Sequence, residues 1–303
     1  MRSEKAKRTV SGVAEAAVWL GAVFFCPIWV LLGLLAAVAA KCLHELCAML
    51  ASENPQRLTA RYALPFGWLA GLGTLWLGLA WLQHEGLWPE GLALAALLPV
   101  PVALLFFRVM LDARIERPME TACLAVAAFL YIPVPLAFII DLAGLSHGLA
   151  LPIGVIAFTK LSDTGGYVFG MLTAPDNHKM CPRLSPKKSW EGTAGGFLFA
   201  LLAAGAFVAL AHWVFPDSEA WKYVRDELTS TPWRTLYFFF AVCVVVATGI
   251  LGDLLESLFK RQCGVKDSAA SSSGRGGRLD TFDSLMFVCA VAYALFRFVR
   301  FIP

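Results

Sequence analysis

The residues of this chain predict an all-α polytopic integral membrane protein of about nine transmembrane helices with a cytoplasmic N-terminus. Three observations carry that prediction. Hydrophobic residues make up 58% of the 303 positions and charged residues only 16%, against about 25% charged in ordinary soluble domains. Apolar runs of roughly 17 to 25 residues, each able to cross a hydrocarbon core about 30 Å thick, recur along almost the whole chain. Lys and Arg cluster between alternate runs, as the cytoplasmic loops of membrane proteins do.

The runs extend approximately over Val13–Leu50, Phe66–Leu82, Gly91–Phe107, Thr121–Ile140, Leu149–Leu172, Thr193–Phe215, Thr235–Phe259 and Phe282–Phe301. The first is too long for one ordinary span and just long enough for two short ones, with a turn near Cys26-Pro27, where proline disfavours a continuous helix. The start MRSEKAKR followed by an apolar stretch looks like a signal peptide, but that stretch runs well past the 7 to 15 residues of an h-region and reads as a retained span.

Charge placement decides the count. With two helices before residue 51, the clusters Arg2/Lys5/Lys7/Arg8, Arg57/Arg61, Arg108/Arg114/Arg117, Lys179/Arg183/Lys187/Lys188 and Lys260/Arg261/Lys266/Arg275/Arg278 all fall on one side. That gives nine spans, N-terminus in and C-terminus out, with Arg297 and Arg300 as a small exception; a re-entrant first hairpin or eight spans is the alternative. The chain then divides into a cytoplasmic segment 1–12, N-terminal spans 13–145, and a C-terminal catalytic region 146–303 with cytoplasmic loops 173–192 and 260–280. The eight cysteines form no CxxC pair and sit mostly in apolar runs, so no structural disulfide is expected. The net charge of +3 is too small to point to a polyanionic partner, and no nucleic-acid binding is expected.

Three constellations carry chemistry. From Gly252 to Ser284 the chain packs four aspartates, one glutamate and five Lys/Arg between two apolar runs. Asp253, Glu256 and Lys260 share a helix face at i, i+3 and i+7, as do Asp280 and Asp283. Carboxylates held close repel unless a cation sits between them, and a magnesium-type ion suits that position; the plainer reading is an interfacial salt-bridge set with Lys260, Arg261, Lys266 and Arg278. Upstream, CPRLSPKKSWEGTAGG (181–196) offers Arg183, Lys187, Lys188, Ser185, Ser189 and Thr193 to phosphate oxygens, while Gly192, Gly195 and Gly196 allow close helix packing; a positive-inside anchor with a Gly-rich packing face accounts for it equally. In SDTGGYVFG, Asp163 lies inside an apolar run, as a functional group or as the neutralised partner of Lys160. Lys41, His44 and Glu45 read as interfacial, and the tryptophans as belt or packing residues.

Together these stretches resemble the phosphatidate cytidylyltransferase (CDP-diacylglycerol synthase) family. Its hallmark S-x-x-K-R-x4-K-D is met by Ser257, Lys260, Arg261, Lys266 and Asp267. A PGHGG-like turn follows as Ser273–Gly277, and D-R-x-D-S as Asp280, Asp283 and Ser284. SPKKSWEG from Ser185 to Gly192, including Glu191, and D-x3-Y-x2-G at Asp163 are similar to the family's too. The likeness is strong in the C-terminal half and generic before it. Two positions depart: Arg275 stands for the family's histidine and Thr281 for its arginine. Arg275 can meet phosphate but cannot exchange a proton near neutral pH.

The resemblance implies transfer of CMP from CTP to phosphatidate, giving CDP-diacylglycerol and pyrophosphate, at the cytoplasmic face of what would be a bacterial inner membrane. Magnesium, with or without a monovalent cation, would be held by Asp253, Asp280 and Asp283. Lys260, Arg261, Lys266 and Asp267 would complete the catalytic set. Substrate contacts would come from Asp163, Ser185, Lys187, Lys188, Glu191, Ser257, Arg275, Gly276 and Gly277. The partners implied are CTP, the lipid substrate and the bilayer, and Gly-rich helix faces would permit a homodimer. Alternatives are a related CTP-using lipid enzyme (an archaeol-phosphate cytidylyltransferase or a polyprenol or phytol kinase), a transporter, for which an inverted repeat is missing, or a catalytically silent paralogue.

Overall fold

The structure, a computed structural model, describes residues 28–52, 71–79, 98–111, 115, 117–146, 148–269 and 277–302. The described helices are α1 (Ile28–Ser52), α2 (71–79), α3 (Pro99–Met110), α4 (Pro118–Tyr131), α5 (Pro133–Leu145), α6 (Ala150–Leu172), α7 (Trp190–Ala209), α8 (Glu219–Tyr223), α9 (Pro232–Gln262) and α10 (Leu279–Phe298). Among the described residues, five segments are long and apolar enough to cross a membrane: Leu32–Met49, Pro118–Leu145, Trp190–Val214, Pro232–Gln262 and Leu279–Phe298. The protein is therefore a mostly helical membrane protein. The segment 1–12 and the first part of Val13–Leu50 lie outside the described residues, as do parts of the second and third apolar runs.

Prolines open several of the described helices. The turn expected near Cys26-Pro27 lies outside the described residues. Helices α4 and α5 are one apolar run interrupted at Ile132, because Pro133 lacks an N–H and restricts the residue before it. Helix α6 is helical throughout, but Lys160, Ser162, Asp163 and Thr164 make its second half too polar to rank with the five apolar spans. Helix α9 has 31 residues, about ten more than the hydrocarbon core requires. Its surplus length carries Asp253, Glu256 and Lys260. One element was not expected: residues 179–189 of the basic stretch form a two-stranded antiparallel hairpin, β1 (Lys179–Cys181) and β2 (Ser185–Ser189).

The chain divides into two compact units. The first draws on Met1–Ala137 and Lys260–Phe282. In it Trp76 packs edge-on against the fully buried Phe129, ring centroids 5.9 Å apart, and Val109, Ile115 and Ala122 form a small core under Phe106. The seven described cysteines of the whole chain are free thiols.

The second unit draws on Phe138–Phe259 and Asp283–Pro303. Its central packing is α6 against α7, and glycine makes it possible. A Cβ on Gly165 would lie 2.5 Å from the Gly195 carbonyl oxygen, and one on Gly192 2.7 Å from the Gly166 carbonyl oxygen. A Cβ on Gly196 would lie 2.9 Å from the Ser162 hydroxyl. Ser189 starts α7 by accepting the Gly192 N–H at 3.1 Å, so the hairpin ends where the helix begins. Phe158, Phe207, Phe238 and Phe296 fill the interior with edge-on and stacked contacts of 5.5 to 6.5 Å. Tyr223 closes that core, donating its hydroxyl to the Phe296 carbonyl at 2.8 Å.

The glycine contacts generate a paired prediction. Gly165→Ala drives a methyl into a backbone oxygen that cannot move aside, and should destabilise the protein by about 1 to 3 kcal/mol. Gly205→Ala, whose Cβ meets nothing within 4 Å, should be neutral or stabilising by up to about 1 kcal/mol through helix propensity. Thermal unfolding of the two variants in detergent measures the contrast.

Candidate active site

The surplus end of α9 and the first turns of α10 carry the acidic residues. Gly252 lets the two helices touch: a Cβ there would lie 2.9 Å from the Asp283 carbonyl oxygen and 3.4 Å from the Ser284 Cα. Close approach brings Asp283 opposite Asp253 and Glu256, one helical turn apart on α9. Among the described residues these three converge as a cluster, each offering an oxygen within 4.8 Å of the others. Glu256 is fully buried and Asp283 is 7% exposed. Three charged carboxylates at this range repel by roughly 3 to 4 kcal/mol per pair at an effective dielectric of about 20. They require protons or positive charge.

Lysines supply part of that charge. Lys188, at the end of β2, binds an Asp253 oxygen at 2.5 Å and donates to the Ile250 carbonyl at 3.3 Å. Lys160 of α6 lies 3.5 Å from Asp163 and donates to the Ser284 hydroxyl at 3.4 Å. Asp283 also accepts the Ser284 N–H at 2.6 Å. Glu191 accepts the His178 backbone N–H at 3.0 Å and sits 2.7 Å from His178 Nδ1. That bond ties α7 to the residue before β1 and so holds the hairpin that presents Lys188.

Asp280 has different company. Lys260 donates to its Oδ1 at 2.8 Å. Its Oδ2 accepts the Ser268 N–H and hydroxyl, each at 2.9 Å, and the Gly277 N–H at 2.6 Å. Asp280 is thus absorbed by the start of its own helix, where backbone N–H groups lack helical partners, and the third member of the carboxylate cluster is Glu256. Gly277 is buried, and its amide points at Asp280. The remaining expected residues distribute simply. Ser257 is buried, Ser185 is half-buried in β2, and Lys187, Arg261, Lys266 and Asp267 are exposed. Asp267 follows the turn at Gly264, whose φ of +68° favours glycine. Arg275 and Gly276 lie outside the described residues.

Two residues of this region carried weaker sequence signals. Glu256 shares a face with Asp253, but its role depends on the helix opposite. Glu45 of α1, expected at the interface, is 3% exposed and accepts the Leu279 N–H at 2.9 Å and the Ser268 hydroxyl at 3.1 Å. A charged residue inside an apolar run was the only local signal for it.

An integral membrane helical protein, with hard-oxygen carboxylates and lysines gathered at the ends of its spans, belongs to the class built for phosphate-bearing substrates. Within that class, the chain is a member of the cytidylyltransferase family, whose model matches residues 6–299. It is 33% identical over 223 residues to the phosphatidate cytidylyltransferase of Staphylococcus saprophyticus subsp. saprophyticus, covering 73% of this chain and 75% of that protein. It is 32% identical over 206 residues to the enzyme of that name in Staphylococcus aureus strain COL, covering 68% and 70%. The Staphylococcus epidermidis protein of the same name is 33% identical over 207 residues, again 68% and 70%.

The Lys188–Asp253 bond can be measured directly. Lys188→Met leaves the Asp253 charge uncompensated beside two other carboxylates and should cost about 1.5 to 3 kcal/mol. Adding Asp253→Asn should restore most of that loss, so a double-mutant cycle of unfolding free energies should show strong coupling.

Proposed function

We propose that this protein is a phosphatidate cytidylyltransferase that transfers CMP from CTP to phosphatidate, yielding CDP-diacylglycerol and pyrophosphate for phospholipid synthesis. The observation that carries the reading is the meeting of Asp253, Glu256 and Asp283 within 4.8 Å, beside Lys188 bound to Asp253, in a member of the cytidylyltransferase family. A phosphate oxygen of phosphatidate attacks the α-phosphorus of CTP, a new P–O bond forms, and the bond to the β-phosphate breaks as pyrophosphate leaves. Such transfers depend on positioning and electrostatics, so no side-chain nucleophile is needed.

The donor set fits magnesium: three carboxylates, all hard oxygen ligands, with two of them buried. Asp253, Glu256 and Asp283 would hold it, and when bound it would neutralise charge developing on the phosphates and leaving group. Lys188 has three ammonium hydrogens and places two of them on Asp253 and Ile250, which leaves one for a phosphate oxygen. Lys160 and Lys187 add positive charge for an anionic nucleotide. Asp280, with Lys260 and Ser268, holds the start of α10.

The full topology proposed is nine spans, with the N-terminus and the basic loops 173–192 and 260–280 in the cytoplasm and the C-terminus outside. It rests on the Lys/Arg clusters, and it brings the acidic and basic motifs to the side from which CTP arrives. Maleimide labelling of single cysteines placed at Lys187 and Glu219 should mark them on opposite faces of sealed vesicles.

The activity is tested with purified full-length protein, phosphatidate, magnesium and CTP. Label from the α-phosphate should enter lipid and label from the γ-phosphate should not; the reverse result would indicate a lipid kinase. Glu256→Gln should lower the rate as severely as Asp283→Asn, on the order of a hundredfold or more, since each removes a group worth several kcal/mol to the transition state. Magnesium should raise the melting temperature of the wild type, and that rise should vanish in Glu256→Gln.

A further inference from the structure

We infer that Glu45, far upstream of the motifs, is a positioning residue for cytidylyl transfer that holds the turn before α10 in its working geometry; the inference rests on the function proposed above. A carboxylate inside the apolar run Leu32–Met49 is costly unless its oxygens are bound. Glu45 is 3% exposed, and its Oε2 accepts the Leu279 N–H at 2.9 Å and the Ser268 hydroxyl at 3.1 Å. Lys41, one turn earlier on α1, stands 4.0 Å away. Leu279 is the first residue of α10, so Glu45 caps that helix from another helix, where a negative charge meets the positive end of the dipole.

The connection to Asp280 runs through Ser268. Its hydroxyl has one hydrogen, yet it lies 3.1 Å from Glu45 Oε2 and 2.9 Å from Asp280 Oδ2. The two carboxylates therefore share one donor. Gly277 closes the group from the remaining side: a Cβ there would fall on the Ser268 hydroxyl and the Glu45 carboxylate, and its amide binds Asp280. Removing Glu45 releases the Leu279 amide and frees Ser268 to swing fully toward Asp280. Asp280, its contact with Lys260, and the first turn of α10 all shift together.

A cap alone would affect only stability. A positioning residue has a further signature. In the α-labelled CTP assay, Glu45→Ala should lower kcat by about tenfold to a hundredfold, the cost of ångström-scale misplacement, with KM for CTP changed by less than about twofold. Glu45→Gln, which keeps an acceptor oxygen for Leu279, should recover most of the rate. Deuterium uptake in a peptide covering 277–282 should rise in Glu45→Ala and return toward wild type in Glu45→Gln. Should Glu45→Ala not fold, Ser268→Ala removes the shared donor and should show the same loss of kcat in milder form.

A wild-type kcat in Glu45→Ala, or a loss that merely tracks the folded fraction with unchanged deuterium uptake, overturns the inference. Wild-type protein that moves no CMP defeats the functional reading instead. The exchange arm then decides positioning by itself, with equal uptake in wild type and Glu45→Ala counting against it.

Discussion

Three carboxylates within 4.8 Å of one another, one of them fully buried, form the constraint from which much of the surrounding structure follows. Like charges at that distance in a poorly screened environment cannot all persist without compensation. The chain meets the demand with Lys188 on Asp253 and Lys160 beside Asp163 and Ser284. Each lysine must be delivered by its own element. Lys188 is carried on a hairpin anchored by the Glu191–His178 contacts, and Lys160 on the polar second half of α6.

Close backbone approach is the second requirement, and glycine answers it at the positions where it matters. Gly252 permits α9 to touch α10 at Asp283, and Gly165, Gly192, Gly195 and Gly196 permit α6 to lie against α7. Lipid tails are as apolar as leucine, so helices in a bilayer associate through packing and hydrogen bonds rather than through burial from water. The α6–α7 contact fixes where the hairpin ends, hence where Lys188 points. Packing and electrostatics thereby become one problem in the second unit.

Much of this was readable beforehand. The helical membrane class, the tight packing of Gly192, Gly195 and Gly196, and the shared face of Asp253 and Glu256 all follow from periodicity and residue type. Motif spacing from Ser257 to Ser284 led to the same family that the comparisons identify. The grouping of Asp280 with Asp253 and Asp283 follows from spacing as well, but spacing cannot say which acids at a helix start are taken by the backbone. Asp280 is taken by Ser268 and Gly277, whose amides would otherwise be unsatisfied. The hairpin at 179–189 was also hidden, because Pro182, Pro186 and a run of lysines give no alternating apolar signal.

What the sequence by itself determined is local: helix or not, which residues share a face, which segments can enter a bilayer, and a motif order specific enough to name a family. These depend on properties of residues a few positions apart. Only the tertiary structure decided that Glu256 joins Asp253 and Asp283 in one carboxylate cluster, and that Glu45, more than two hundred residues upstream, caps the helix bearing Asp280. Both outcomes depend on which buried donors and acceptors remain unsatisfied once helices pack, and that is a property of the packed chain that no local pattern encodes.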